Sequence, residues 1–339
     1  MESKKMRKQL SSVDFAKLLF AIGVVAIHAR CFAGNDLPSW LMMHGVLRLA
    51  VPFFFCAAGY FFYSTLRKSK DLGATTKKYI KRLIVPMVFW LTINLPIVVY
   101  GYISDGSGLL EIIAKLIRSL IFYPWGAMWF VLALIVATMI VVPFYRKGRL
   151  GWAVAIGAVF YLIGLVFNNY YFVVVDTPLK GVVDVILQFT ESMRNGIFEG
   201  LFFVSAGMYV SKVQEERKYN RSANILVLVI SYVLLLVEII IIKDLPHVDD
   251  NSLFIMFMTA IPCLMLFLSD LPSLKMDTTP FRNYSTGIYF SHRFVLAIVM
   301  FLLKPYNSII GFVITLSIVV TVLFFLYKKN NKMINLVTK

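Results

Sequence analysis

The chain is 339 residues long and 59% apolar, with 34 Lys and Arg against 18 Asp and Glu for a formal charge of +16. That composition, with a mean hydropathy of +0.78, excludes an ordinary soluble domain. Long apolar runs broken by short polar loops exclude a barrel, whose strands alternate over roughly ten residues. The charge gathers in the loops, which sets membrane topology and argues against nucleic acid as a partner.

In chain order, ten helical spans are expected near 14–32, 44–64, 83–103, 126–145, 150–168, 195–211, 223–242, 253–268, 284–303 and 308–327. Each comes close to the roughly 20 apolar residues that cross a bilayer as a helix, the one open-ended structure that satisfies its own backbone there. The expected fold is an all-α polytopic bundle: a single membrane domain over 1–339, with a basic N-terminal segment at 1–12, a basic tail at 328–339 and no additional soluble domain. With the N-terminus inside, the inner segments collect 24 Lys or Arg, in Lys4 to Lys8, Arg67 to Arg82, Arg146 to Arg149, Lys212 to Arg221, Lys275 with Arg282, and Lys328 to Lys339. The outer segments carry six, so both termini are expected in the cytoplasm of a multi-pass plasma-membrane protein.

The first span, SSVDFAKLLFAIGVVAIHAR, is the most informative. Eleven residues separate Lys17 from His28, which returns a helix to within about 20° and sets the two side chains on one face, roughly 16 Å apart. Ionisable groups inside a span are candidate functional residues by default. The plainer alternative has Lys17 snorkelling to the headgroups while His28 caps the far end. The basic start and small residues at Cys31–Gly34 also fit a signal peptide, but cleavage there would spoil the charge alternation, so a retained helix is expected. Cys31, Cys56 and Cys263 lack metal-ligand spacing and read as small core residues, and no metal site is expected.

Further along, Arg48 is a cation near the depth of His28, and in VPFFFCAAGYFF at 51–62 the Ala and Gly positions permit close helix packing. KKYIKRLIVP at 77–86 stacks Lys78, Lys81 and Arg82 at the inner mouth of the third span, as a solvated face or as a phosphate-holding group. Two outer segments, 109–122 and 179–194, read as amphipathic interfacial helices. The first has Glu111, Lys115 and Arg118 on one face and is expected to rim a cavity mouth; the second carries Lys180, Asp184, Gln188 and Glu191. WGAMWF at 125–130 reads as an aromatic belt. MRNGIFEGLFFVSAG puts Arg194 and Glu199 at the outer end of the sixth span, where an intramembrane carboxylate needs a partner. STGIYFSH brings His292 about two turns into the ninth span. No internal repeat is evident, which weighs against transporters built on duplicated halves.

Taken together, the Lys-x10-His of the first span, RLAVPFFFCAAGYF, the basic pair before Pro86, MWF, RNGIFEGLFFVSAG and YSTGIYFSH resemble, in order over nearly the whole chain, the membrane acyltransferase 3 family. LRLAVPFFF and RNGIF look most like the membrane half of the membrane-bound serine racemases of glycopeptide resistance. Neither their soluble racemase domain nor the hydrolase-like domain of other members is expected in these residues. The resemblance implies acyl transfer across a membrane, usually of acetyl from cytoplasmic acetyl-CoA to an outward-facing sugar or envelope hydroxyl: polysaccharide, peptidoglycan or another envelope acceptor.

Residue by residue, the implied donor site has CoA phosphates among Lys17, Lys78, Lys81 and Arg82, with pantetheine running along the first span and His292 contacting the donor or tuning the cavity. His28 is the expected general base, since an imidazole takes and returns a proton near neutrality. Asp14 lies roughly 21 Å down the helix, too far to orient it, so Glu199 is the candidate orienting carboxylate. Arg48 or Arg194 would stabilise the oxyanion or hold an anionic acceptor, with Trp129 beside the acceptor. Without a Gly-x-Ser-x-Gly elbow, direct transfer is favoured over an acyl-enzyme. The alternatives are a transporter for serine or another small solute, and a non-catalytic sensor or partner subunit. The Lys17–His28 spacing separates these classes, because a solute path does not require it.

Overall fold

The computed structural model describes residues 10–34, 36–246 and 253–328; most of the two basic terminal segments, at 1–9 and 329–339, lies outside them. Thirteen α-helices make up the described residues, with no strand among them: α1 (Ser11–His28), α2 (Leu37–Leu41), α3 (Ala50–Arg67), α4 (Leu72–Ser104), α5 (Leu109–Phe122), α6 (Trp129–Arg146), α7 (Leu150–Val166), α8 (Lys180–Thr190), α9 (Leu201–Glu215), α10 (Arg221–Ile242), α11 (Phe257–Asp270), α12 (Thr279–Leu302) and α13 (Ser308–Lys328). A π-turn at Met42–Val46 and a 3-10 turn at Leu47–Leu49 join α2 to α3, and a second π-turn at Gly196–Gly200 leads into α9.

Among the described residues seven segments are long and apolar enough to cross a membrane: α1, Leu37–Arg67, α4, α6, α10, α12 and α13. The remaining three expected spans correspond to shorter helices, α7 with 17 residues, α11 with 14, and α9 with 15 behind its π-turn. α9 does not need a long lipid-facing stretch, because all but one of the residues from Leu201 to Ser211 are buried against neighbouring helices. Small residues make that burial possible. A Cβ on Gly207 would lie 1.9 Å from the Cys56 carbonyl oxygen, and one on Gly59 would lie 2.1 Å from that of Val204. The α3 and α9 backbones therefore touch through the Ala/Gly stretch, and Gly157 of α7 meets the Phe202 backbone on another side of α9.

α4 begins about three turns before the apolar run read as the third span. Asp71 caps it, accepting from the amides of Gly73 (2.8 Å) and Ala74 (3.0 Å), so the basic stretch 77–82 is helical and Lys78 and Arg82 share a face.

α1 and α12 run parallel in constant register. Ser11 Oγ accepts from the Leu274 amide, the Thr278 hydroxyl donates to buried Asp14 at 2.8 Å, and Arg293 donates to His28, at separations of 263, 264 and 265 residues. Between these polar ends Ala21 and Val25 pack on Ile288, with Val319 and Leu323 of α13 closing the layer. The first helix thus gets its polar partners from the end of the chain.

Candidate active site

At the His28 end of α1, groups from α12 and from two irregular segments act on one imidazole. His28 is the last residue of α1, half-buried, and its ring stacks on that of His292 with centroids 5.3 Å apart and planes 28° from parallel. Arg293 Nη1 lies 3.3 Å from His28 Nδ1. His292 is fully buried, and its Nδ1 bonds back to its own helix at the carbonyls of Ile288 (2.9 Å) and Tyr289 (2.7 Å). The charges of Arg48 and Arg194 also act on His28. Arg48 sits on the 3-10 turn before α3, while the Arg194 guanidinium lies 4.7 Å from the Trp129 ring and donates to the Tyr123 hydroxyl. Trp129 and Tyr123 stack 5.4 Å apart at 8°, giving the guanidinium a flat aromatic seat. Three guanidiniums around an imidazole pair suit negative charge, and that is what an attacked thioester or ester carbonyl develops.

The stretch 125–130 is not a lipid-facing belt. Trp129 is buried under Arg194, and Trp125 Nε1 donates to the Leu91 carbonyl at 3.0 Å. Gly126 and Ala127 both take the left-handed conformation, at φ +67° and +66°, and Tyr289 donates its hydroxyl to the Ala127 carbonyl. Alanine rarely adopts that backbone, so the surrounding bonds hold the turn. The turn ties α4, α6 and α12 together just above His292.

At the Lys17 end lies a cavity of about 820 Å³. Lys17, Lys78 and Arg82 line it, joined by Lys68 and Arg282, which the sequence reading did not single out. Lys81 does not line it, because it stands about 100° around α4 from Arg82. The walls are aromatic: Lys17 Nζ lies 5.5 Å from the Phe61 ring centroid, with Phe54 and Phe62 nearby. At its far end Phe130 and Tyr289 meet edge to face at 5.5 Å, and the Tyr289 ring lies 6.2 Å from that of His292. Tyr289 is therefore a wall of the cavity and a neighbour of the imidazole pair. His292 itself does not line the cavity. Helix α12 starts five residues earlier than the apolar run, and His292, in its second half, stacks beside His28.

A second cavity of about 650 Å³ shares Phe61, Lys68 and Arg282 with the first, and adds Asp14, Glu215 and Asp270.

Glu199 sits buried in the π-turn Gly196–Gly200, where its charge acts on Tyr161, whose hydroxyl donates to the Phe254 carbonyl at 2.9 Å. The group on His28 Nδ1 is the Arg293 guanidinium, not this carboxylate. Arg293 went unnoticed in the sequence, although an Arg inside an apolar run is itself a signal. α5 and α8 form the anticipated pair of amphipathic helices: Arg118 pairs with Glu191 and donates to the Gln188 carbonyl. The Lys115 ammonium, 2.6 Å from Glu111, holds that carboxyl below the usual carboxylate range. Cys31, Cys56 and Cys263 are free thiols, and no group of three His, Cys, Asp or Glu able to hold a metal occurs among the described residues.

The chain matches the acyltransferase-domain family known as acyltransferase 3 over residues 10–328, and it belongs to that family. Among curated proteins it is similar to two amino-acid racemases of Enterococcus faecalis. One is 26% identical over 261 residues, covering 76% of this chain and 35% of the relative; the other is 24% identical over 321 residues, covering 91% and 45%. It is also similar to the serine/alanine racemase of Enterococcus gallinarum, at 24% over 307 residues, covering 87% and 40%. The chain therefore spans less than half the length of these relatives. No solved structure matches it.

Proposed function

We propose that this multi-pass membrane protein transfers an acyl group, acetyl in the first instance, from cytoplasmic acyl-CoA to an extracytoplasmic hydroxyl on a polysaccharide, peptidoglycan or another cell-envelope acceptor. In this reading ten helices cross the plasma membrane, both termini are cytoplasmic, and the Lys17 cavity opens inward. One observation carries the proposal: the imidazole pair lies further along the same two parallel helices, α1 and α12, that line the cationic, aromatic-walled cavity, with Tyr289 shared between them. The residues fit the donor. Anionic phosphates match Lys17, Lys78, Arg82, Lys68 and Arg282, while the aromatic walls accept an uncharged pantetheine arm whose thioester is presented past Tyr289. The acceptor hydroxyl is then deprotonated at the histidines as it attacks the thioester carbonyl. Arg48 and Arg293 offset the oxyanion charge, and the Arg194–Trp129 seat holds the acceptor.

The test is to incubate the purified full chain with radiolabelled acetyl-CoA and isolated envelope polymers, and to measure both acetyl-CoA binding and label transfer. Label in the polymer, dependent on Arg82, is the expected result. Exchange of serine across proteoliposomes with no acetyl-CoA binding would replace this reading with a transporter.

A further inference from the structure

The partners of the two stacked imidazoles call for opposite tautomers. A guanidinium only donates, so Arg293 Nη1 at 3.3 Å from His28 Nδ1 faces a bare lone pair, and the proton of neutral His28 sits on Nε2. A backbone carbonyl only accepts, so the Ile288 and Tyr289 oxygens at 2.9 and 2.7 Å from His292 Nδ1 require N–H there. That leaves His292 Nε2 bare. This nitrogen is fully buried and has no hydrogen-bond partner among the described residues, whereas buried acceptors are ordinarily satisfied. A purely structural histidine bonded back to its own helix would leave nothing to gain from an empty second nitrogen. A base awaiting a hydroxyl would.

We infer that the two histidines divide the task assigned to His28 from sequence: His292 Nε2 takes the proton of the acceptor hydroxyl, and His28 donates its Nε2–H to the thioester carbonyl oxygen. This rests on the acyl-transfer reading above. As the acceptor oxygen bonds to the carbonyl carbon, its proton moves to His292 Nε2 and the carbonyl oxygen becomes an oxyanion, held by His28 Nε2–H within the field of Arg48, Arg194 and Arg293. The C–S bond then breaks, the carbonyl re-forms, and the proton on His292 passes to the departing thiolate. The products are the acyl ester and CoA thiol, with both histidines back in their starting tautomers. Arg293 acts through His28 as a positioning residue, because its donation keeps the Nδ1 lone pair occupied and turns Nε2–H toward the reaction.

Two measurements test this, one independent of activity. The chain has four histidines, so ring-15N labelling of the full protein in lipid nanodiscs, with signals assigned through His28→Gln and His292→Asn, reads each tautomer directly. The expected spectrum has His292 protonated at Nδ1 and bare at Nε2, with His28 reversed. The same tautomer in both rings, or the opposite assignment, overturns the proposal whatever the protein transfers.

The second measurement is label transfer from acetyl-CoA to envelope polymers. His28→Gln keeps an amide N–H near the Nε2 position and should retain transfer within about tenfold of the unmodified protein, while His28→Ala loses on the order of 10²-fold. His292→Asn keeps a donor for the Ile288 and Tyr289 carbonyls but has no Nε2, so it should lose on the order of 10²–10⁴-fold with acetyl-CoA affinity unchanged. An active His292→Asn, or a His28→Gln as inactive as His28→Ala, returns the base to His28. Failure of the unmodified protein to bind acetyl-CoA refutes the acyl-transfer reading itself and this division of labour with it.

Discussion

Replacing Arg82 by Ala, beside the control Lys81→Ala, distinguishes a phosphate site from a belt of charge that only sets topology. The two cations are neighbours in sequence and equally exposed, yet Arg82 lines the 820 Å³ cavity with Lys17 and Lys78 while Lys81 points elsewhere. A charge-assisted hydrogen bond to phosphate contributes about 1.5–3 kcal/mol. Arg82 is exposed to solvent and its field is screened, so the lower end applies, about 1.5 kcal/mol or roughly a tenfold weaker Kd for acetyl-CoA. Lys81→Ala removes the same formal charge but no contact with the cavity and should change Kd by less than about twofold. Isothermal titration of acetyl-CoA into the detergent-solubilised full chain reads both. Raising the salt should weaken binding and narrow the difference between the variants, because exposed charges are screened beyond about 10 Å at 0.1 M. Equal losses in the two variants, or no loss in Arg82→Ala, would refute the assignment of this cavity to an anionic donor.

Three further outcomes follow from the geometry. A cysteine introduced at Asp105 should react with an impermeant thiol reagent in intact cells and one at Lys70 or Lys147 should not; the converse pattern would put the Lys17 cavity on the outside. Gly207→Ala drives a Cβ to 1.9 Å from the Cys56 carbonyl oxygen, and the overpacking should cost about 1–3 kcal/mol, seen as a lower thermal midpoint by size-exclusion chromatography, with little change in a Gly151→Ala control that meets nothing. Arg194→Lys keeps the charge but loses the flat stacking on Trp129, so apparent acceptor affinity in the transfer assay should fall about fivefold, from a cation–π contribution near 1 kcal/mol, with acetyl-CoA affinity unaffected.

Local periodicity made a good part of this legible from sequence. The eleven-residue spacing of Lys17 and His28 led to one helix with a cationic cavity at one end and a stacked imidazole at the other, and CAAG led to the backbone-to-backbone crossing of α3 and α9. The amphipathic pattern at 109–122 led to α5. Partner identity was less accessible, since it depends on register between helices far apart in the chain. Glu199 is the candidate carboxylate the expected topology offers His28; in the structure its charge acts on Tyr161, while the group on His28 Nδ1 is a guanidinium 265 residues away. His292 was placed near the donor because the apolar run starts later than α12 does; hydrophobicity marks where lipid begins, whereas hydrogen bonding decides where a helix begins. The aromatic pair in 125–130 misled for a related reason. Tryptophan anchors an interface and seats a guanidinium through the same ring, and composition alone does not say which.

The parallel pairing of α1 with α12 has a consequence for biosynthesis. Asp14 and His28 are made and enter the membrane first, while Thr278, His292 and Arg293 emerge from the ribosome some 264 residues later. During that interval the first helix holds a buried carboxylate and a half-exposed imidazole without the partners it has in the finished protein, at a standing cost in the lipid environment. Arg282 and Tyr289 of α12 also line the cavity beside Lys17, so the cavity stays without this wall until α12 is in place. Arrival of α12 therefore both supplies the partners of Asp14 and His28 and completes the cavity wall, so the two fall on a single insertion event.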